Sequence, residues 1–91
     1  MVKIIIVVTA TLDNFREFIA ENYSNTVKVF GGVADIYDVK YIWFGIGQDI
    51  RKFIAMNIFD IIYYGNMGFL KNYRDEVAML EYRKTRGNRN G

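Results

Sequence analysis

The chain has 91 residues, of which 52% are hydrophobic and 16% aromatic, which is enough apolar material for the core of one domain. It has no cysteine and no histidine, so disulfides, thiolate chemistry and the usual zinc and haem sites are excluded. The formal net charge is +2, and no acidic residue occurs from residue 83 onward. We therefore predict a single α/β domain over residues 1–84 and a basic, disordered tail over residues 85–91.

Neither a membrane span nor a signal peptide is indicated by the sequence. The N-terminal apolar run, residues 4–8, is β-branched and far shorter than the about 20 apolar residues of a membrane span. It is also too short for the apolar part of a signal peptide, and no small-residue cleavage site follows it. We therefore expect a soluble, cytoplasmic protein.

The first predicted strand, residues 3–9, constrains the fold most strongly. Residues 4–8 are all Ile or Val, so the strand has no polar face. A strand with one face in water alternates between apolar and polar residues, whereas an unbroken apolar run is typical of a strand buried on both faces. The sequence therefore predicts a central strand that is covered on both sides.

An amphipathic helix is predicted next, from a cap at Thr11 or Asp13 to about Asn22. Its apolar residues recur at helical spacing and are Leu12, Phe15, Phe18 and Ile19.

Two adjacent glycines, Gly31 and Gly32, separate two runs of strand-forming residues, 26–30 and 33–44. Because both glycines can adopt positive φ, we predict a tight hairpin between these runs. Asp38 interrupts the alternation of the second run, so we expect a bulge or bend there within one continuing strand.

Three further elements complete the prediction. Asp49 can cap a short helix over residues 50–57, and the nearly all-apolar residues 58–64 are predicted to form the last strand. Residues 69–84 have the strongest helical pattern of the chain. Its apolar stripe consists of Leu70, Tyr73, Val77 and Leu80.

The predicted order β-α-β-β-α-β-α matches, in its first six elements, the ferredoxin-like split β-α-β-β-α-β sheet of the α+β class, here with an added C-terminal helix. In that arrangement two helices cover one face of an antiparallel sheet, and the third helix, a dimer mate or both would cover the other. The alternative is a small three-layer α/β fold with a mainly parallel sheet, in which the first and last strands lie side by side. The glycine hairpin favours the first arrangement, and the apolar runs at both ends favour the second.

Two loops are candidates for binding a phosphate. Gly45 and Gly47 lie between a predicted strand and a helix, although the third glycine of a dinucleotide fingerprint is missing and Asp49 would compete for the helix amides. Thr9 and Thr11 follow the first strand, where ligands bind in parallel sheets, although ordinary helix capping also explains them.

Carboxylates offer weaker candidates. Two of Asp35, Asp38 and Asp60 could hold Mg²⁺ or act as an acid–base pair if the fold brought them together. The more ordinary explanation is structural: Asp60 pairs with Lys3 or Lys40 across strands, or these carboxylates are edge-strand charges that discourage aggregation. Ser24 is the only serine and has no histidine to activate it, so we predict that the protein is not an enzyme and needs no metal or cofactor.

Aromatic and basic residues are the candidates for contact with macromolecules. Tyr37, Tyr41 and Trp43 would share one face of a continuous strand, which favours a protein interface. The helical stripe that includes Tyr73 and Leu80 is a second candidate surface, and either could form a homodimer. The basic residues Arg83, Lys84, Arg86 and Arg89 could add non-specific contacts to nucleic-acid phosphates.

We therefore predict a non-catalytic interaction module that binds another macromolecule, foremost a protein partner or a second copy of itself. A small viral accessory or inhibitor protein is one kind of protein with this profile. The alternatives are a DNA- or RNA-binding protein that uses the basic tail, and a small nucleotide-binding domain that uses the glycine loop.

Overall fold

The computed structural model describes the backbone of residues 2–88 and the side chains of residues 2–84. The described chain forms one α+β domain with a four-stranded mixed sheet and two α-helices. The elements are β1 (Lys3–Val8), α1 (Leu12–Asn22), β2 (Val33–Ile36), β3 (Val39–Phe44), a 3₁₀ turn (Ile50–Phe53), β4 (Ile58–Tyr63), a second 3₁₀ turn (Gly68–Asn72) and α2 (Arg74–Asn88).

The strand order is β2-β3-β1-β4, with β1 parallel to both β3 and β4 and with β2 antiparallel to β3. The ferredoxin-like prediction is therefore wrong, because that sheet is antiparallel throughout. The parallel pairing of the first and last strands is the one that the alternative fold predicted. The short turn at Ile50–Phe53 stands where a second covering helix was predicted over residues 50–57.

The direction of β2 explains the difference in topology. After α1 the chain runs back along the sheet through residues 23–30 and then reverses at Gly31 and Gly32 before β2 begins. The predicted strand over residues 26–30 is reduced to one isolated bridge, between Phe30 and Val33. This extra arm turns β2 around, so that β2 runs opposite to β1 and β3 runs parallel to it.

The tight glycine hairpin is confirmed. Gly31 has φ 54° and Gly32 has φ 79°, which are the positive values that a two-residue primed turn needs. The flanking residues, Phe30 and Val33, exchange two backbone hydrogen bonds of 2.9 Å each.

The single strand predicted over residues 33–44 is instead a hairpin of two strands. β2 ends at Ile36, β3 begins at Val39, and Tyr37 and Asp38 form the turn between them. Asp38 therefore ends the strand pairing, where a bulge within one strand was expected.

The prediction that β1 is covered on both faces is confirmed. On one face Ile6 and Val8 pack with Phe44, Phe53 and Leu80, which come from β3, the first 3₁₀ turn and α2. On the other face Val7 packs with Phe15, Phe18 and Ile19 of α1. The same chain therefore covers both faces of the sheet.

The first helix follows its prediction closely. Thr11 is the N-cap, and its hydroxyl oxygen accepts a hydrogen bond from the backbone amide of Asn14 at 3.2 Å. The three apolar residues Phe15, Phe18 and Ile19 are all buried against the sheet.

The second helix begins at Arg74, later than the predicted residue 69, because Gly68–Asn72 forms a 3₁₀ turn before it. It extends to Asn88, so the region predicted as a tail begins inside α2, and residues 89–91 lie outside the described residues. The disorder of that tail therefore stays a prediction. No helix within the described range is long and apolar enough to cross a membrane.

Candidate functional site

A groove of about 650 Å³ runs between the outer edge of β2 and the arm formed by residues 23–30. Six of the residues that line it are apolar or aromatic. These are Tyr23, Val27, Phe30, Val33, Ile36 and Tyr37. Its volume falls within the roughly 300–1,000 Å³ of ligand-binding clefts, and apolar walls with a few polar groups are typical of such sites.

The groove exists because the arm leaves the sheet after a single pair. Phe30 bonds to Val33, but the preceding residues fold onto themselves. The carbonyl of Ser24 accepts a hydrogen bond from the amide of Val27 at 3.3 Å, and the hydroxyl of Ser24 accepts one from the amide of Thr26 at 3.1 Å. In the register set by Phe30 and Val33, the amide of Thr26 would face β2, and the hydroxyl of Ser24 bonds it instead. The local turn thus accompanies the separation of the two walls.

The outer edge of β2 is open beside the groove. Both backbone groups of Val33 bond to Phe30, whereas the carbonyl of Gly32 accepts a hydrogen bond from Trp43 of β3 at 2.8 Å. Neighbouring residues of a strand point their backbone groups alternately to the two sides. The amide and carbonyl of Asp35 therefore point away from β3 and toward the groove, and no other described strand pairs with that side of β2.

Exposed aromatic side chains flank this edge. Phe30 is 72% exposed, and Tyr37 is fully exposed at the tip of the β2–β3 turn. Tyr37 also has φ 55°, a left-handed value that costs a bulky residue about 1–3 kcal/mol. Strained residues of this kind cluster at functional sites, which makes the tip of the turn a candidate part of the site.

Tyr23 anchors the other wall of the groove to the core. Its hydroxyl shares a short hydrogen bond with the hydroxyl of Tyr41, and the two rings lie 5.3 Å apart. Burial, reinforced by this hydrogen bond, raises the pKa of Tyr41 to about 12. The hydroxyl of Tyr41 is therefore protonated at neutral pH, and its hydrogen bond with Tyr23 holds the arm against the sheet.

Two charged residues, Lys28 and Asp35, lie on opposite walls of the groove. Both are exposed, and neither forms an ion pair within the described chain. On the β3 side, Asp35 lies opposite Lys40 in the strand register.

The five residues predicted to bind a partner do not form one surface. Tyr37 is exposed, but it lies in the turn, so the prediction that it shares a strand face with Tyr41 and Trp43 is wrong. Tyr41 and Trp43 do share a face, and α1 buries both of them. The indole Nε1 of Trp43 donates to the carbonyl of Thr9 at 3.1 Å.

The predicted helical surface lies on the opposite side of the sheet and also faces inward. Leu80 is buried in the core, and Tyr73 packs edge-on against Phe44 with 5.9 Å between ring centroids. The sheet face and the helical stripe expected to form a homodimer are thus occupied within one chain, and the homodimer stays a prediction.

The two predicted phosphate loops use their polar groups internally. The hydroxyl of Thr9 donates to the carbonyl of Thr11 at 2.6 Å, and the hydroxyl of Thr11 caps α1. The amide of Gly47 donates to the hydroxyl of Tyr73 at 3.0 Å. At Gly45 a Cβ atom would lie 2.0 Å from the carbonyl oxygen of Thr9, so this glycine allows close packing of two loops.

The Gly45/Gly47 loop is followed by a capping residue, as predicted. Asp49 accepts a hydrogen bond from the amide of Arg51 at 2.9 Å and pairs with its guanidinium at 2.7 Å. These contacts hold the pKa of the Asp49 carboxyl below its usual value, so a negative charge occupies the start of this turn.

The three carboxylates singled out from the sequence lie on three different segments. Asp35 is on β2, Asp38 is in the turn, and Asp60 is on β4, where it pairs with Lys84 at 3.6 Å. The prediction that Asp60 pairs with Lys3 or Lys40 is therefore wrong. Among the described residues no group of three acidic, histidine or cysteine side chains could hold a metal ion.

The basic residues proposed to contact nucleic acid make internal contacts where the structure describes them. The guanidinium of Arg83 donates to the carbonyl of Met56 at 3.3 Å, and Lys84 pairs with Asp60 and Glu81. The side chain of Arg86 and the whole of Arg89 lie outside the described residues.

No family model, curated protein or solved structure matches the chain. The site must therefore be judged on its own geometry.

Sequence reasoning missed the groove and most of its walls, including Tyr23 and Phe30. The signal that could have found it is the combination of an apolar arm, residues 26–30, with an adjacent glycine turn. That pattern predicts that the arm and β2 lie side by side, but it does not predict that the arm diverges from β2.

Proposed function

We propose that this protein is a non-catalytic interaction module that binds an extended segment of another protein. The segment would add as a strand to the open edge of β2, within the groove. The observation that carries the proposal is the coincidence of an apolar groove, outward-facing backbone groups at Asp35 and exposed aromatic side chains at Phe30 and Tyr37.

Strand addition uses two kinds of contact that this edge can supply. Backbone hydrogen bonds hold the incoming segment, and pockets for alternate side chains select its sequence. Asp35 would contribute the backbone bonds. The apolar walls, with Val27 on the arm and Ile36 on β2, would receive the side chains that point into the groove.

The other edge of the sheet is less suited to this role. The pairing of β4 with β1 shifts register between Ile4 and Ile5, which marks a bulge. Bulges and charged residues at an edge discourage pairing with another strand. The ammonium of Lys3 lies 4.5 Å from the ring centroid of Phe59 near this bulge, and Asp60 adds a second charge.

The proposal can be tested without knowing the natural partner. A random peptide library would be selected on the immobilised full chain, and the enriched peptides would be titrated against the wild type and against Phe30→Ala. Because Phe30 is mostly exposed, its truncation leaves the core intact, and we expect at least a fivefold loss of affinity.

Tyr82→Ala is the matched control for this experiment. Tyr82 is an exposed aromatic residue of α2, which packs against β4 at the far end of the sheet. This variant is expected to bind the same peptides as tightly as the wild type. A library that yields no binder, or binders that lose affinity on Tyr82→Ala and not on Phe30→Ala, would contradict the proposed function.

A further inference from the structure

We infer, resting on the proposed function, that the bound segment comes from another protein and carries a lysine or arginine opposite Asp35, between apolar residues. The charges on the two walls of the groove and the strand register determine this chemistry.

The chain's own hairpin gives the register. Phe30 pairs with Val33, and an antiparallel register continues in equal steps on both strands. Two residues further from the turn, Lys28 would lie opposite Asp35. The sequence Val27-Lys28-Val29 is thus the chain's own example of an apolar–basic–apolar strand that suits this edge.

The position opposite Asp35 is nevertheless open in the structure. The turn at Ser24 draws the arm away, and Lys28 is exposed and makes no ion pair with Asp35. A basic residue of an incoming strand can therefore occupy the place that Lys28 would take. Lys28 lies on the facing wall and has the same charge as the incoming residue, but its exposed side chain can extend into solvent.

Neighbouring charges support a basic residue at this place. Opposite charges directly across a strand pair stabilise it, and like charges destabilise it. Asp35 already lies opposite Lys40 on β3, and a basic residue on its other side would continue an alternation of charge across three strands. Asp38, exposed in the adjacent turn, adds negative charge at the same end of β2.

The same rule disfavours pairing between the β2 edges of two copies of this chain. Val33 is already paired with Phe30, so Asp35 is the residue of β2 whose outward backbone groups remain open. Two copies related by a twofold axis would therefore pair Asp35 with Asp35, which places like charges opposite each other. The arm of a second copy, residues 26–30, is held in its own chain by the pair between Phe30 and Val33 and by the packing of Val27 and Val29 against the core. The occupant that fits is therefore a segment of another protein.

Two synthetic peptides test the inference, with sequences TVKVF and TVEVF and with both ends blocked. Each would be titrated by NMR or calorimetry against the wild type, Asp35→Asn and Asp35→Lys. We expect the lysine peptide to bind the wild type about two- to fivefold more tightly than the glutamate peptide. The preference is expected to shrink on Asp35→Asn and to reverse on Asp35→Lys.

Two controls make the outcomes distinguishable. Asp75→Lys changes the same charge on α2 and is expected to preserve the wild-type preference. Because Asp35 is exposed, both of its variants are expected to keep the wild-type circular dichroism spectrum. Equal affinities for the two peptides, still sensitive to Phe30→Ala, would overturn the inference and leave the proposed function standing. No binding of either peptide would overturn both.

Discussion

At the scale of single residues, Tyr37 is the most unusual position of the described chain. It is fully exposed, and it is the one described residue other than glycine with a positive φ. Positive φ is costly for a side chain of this size, and nothing is recovered from burial. The side chain therefore lowers the stability of the fold at this position, as is acceptable for a residue that we propose contacts a partner.

We predict that Tyr37→Gly raises the free energy of unfolding by about 0.5–1 kcal/mol, because glycine adopts positive φ without a steric cost. Tyr37→Val is the matched control and is expected to lower it, since a β-branched residue is strained further. Chemical denaturation of the three proteins measures the effect. A loss of stability on Tyr37→Gly would show that the side chain contributes to the fold.

Tyr41 gives a prediction for pH dependence. Burial and the hydrogen bond with Tyr23 raise the pKa of Tyr41 in the folded protein from 10.0 to about 12. The protonated hydroxyl is thus favoured by folding. Its contribution to stability is complete below about pH 10 and is lost as pH rises from 10 to 12.

We therefore expect the difference in unfolding free energy between the wild type and Tyr41→Phe to be constant from pH 7 to 9. Above pH 10 the wild type is expected to lose stability faster than the variant. Denaturant titrations at several pH values measure this difference, and comparison with the variant removes the contribution of lysines. Parallel pH profiles of the two proteins would contradict the assignment.

At the scale of elements, α2 acts as the cover of one face of the sheet. Leu80 is buried against β1 and β3 in the same cluster as Ile6 and Phe44. The helix is therefore part of the core, and Val77 and Leu80 of its apolar stripe pack into that cluster.

We predict that Leu80→Ala lowers the free energy of unfolding by about 2–5 kcal/mol, as expected for truncation of a buried leucine. Met79→Ala, on the exposed side of the same helix, is the control and is expected to change it by less than about 0.5 kcal/mol. Equal effects of the two substitutions in thermal or chemical denaturation would show that α2 does not pack as described.

Some of the elements could be predicted from the sequence and others could not. The unbroken run of β1 has one physical explanation, burial on both faces, and the two glycines have one typical use, a primed turn. The turn at Tyr37 and Asp38 lacks these signals, because a tyrosine at positive φ is rare. Residues 33–44 therefore resembled one strand, and the topology derived from them was wrong.

The candidate site was harder to predict for a related reason. Alternation correctly placed Tyr41 and Trp43 on one face, but only the packing of α1 shows that this face is buried. The groove depends on an arm that diverges from β2, and local hydrogen bonds of Ser24 accompany that divergence. Such competition between local and sheet bonding leaves no periodic pattern in the sequence.

At the scale of the whole molecule, the sheet has two covered faces and two unequal edges. The β4 edge is bulged and charged, whereas the β2 edge adjoins an apolar groove with a residue whose backbone groups face outward. The covered faces and the open edge thus have different roles. The faces stabilise the single chain, and the β2 edge is where we propose that another chain binds.

Amide hydrogen exchange at Asp35, followed by NMR with and without the TVKVF peptide, tests the central claim most directly. The amide of Ala34 pairs with β3 and serves as the internal reference, because it is expected to be protected in both states. Strand addition predicts that the Asp35 amide exchanges rapidly in the free protein and at least about tenfold more slowly in the complex. Protection of Asp35 without the peptide, or peptide binding that leaves its exchange unchanged, would contradict the account.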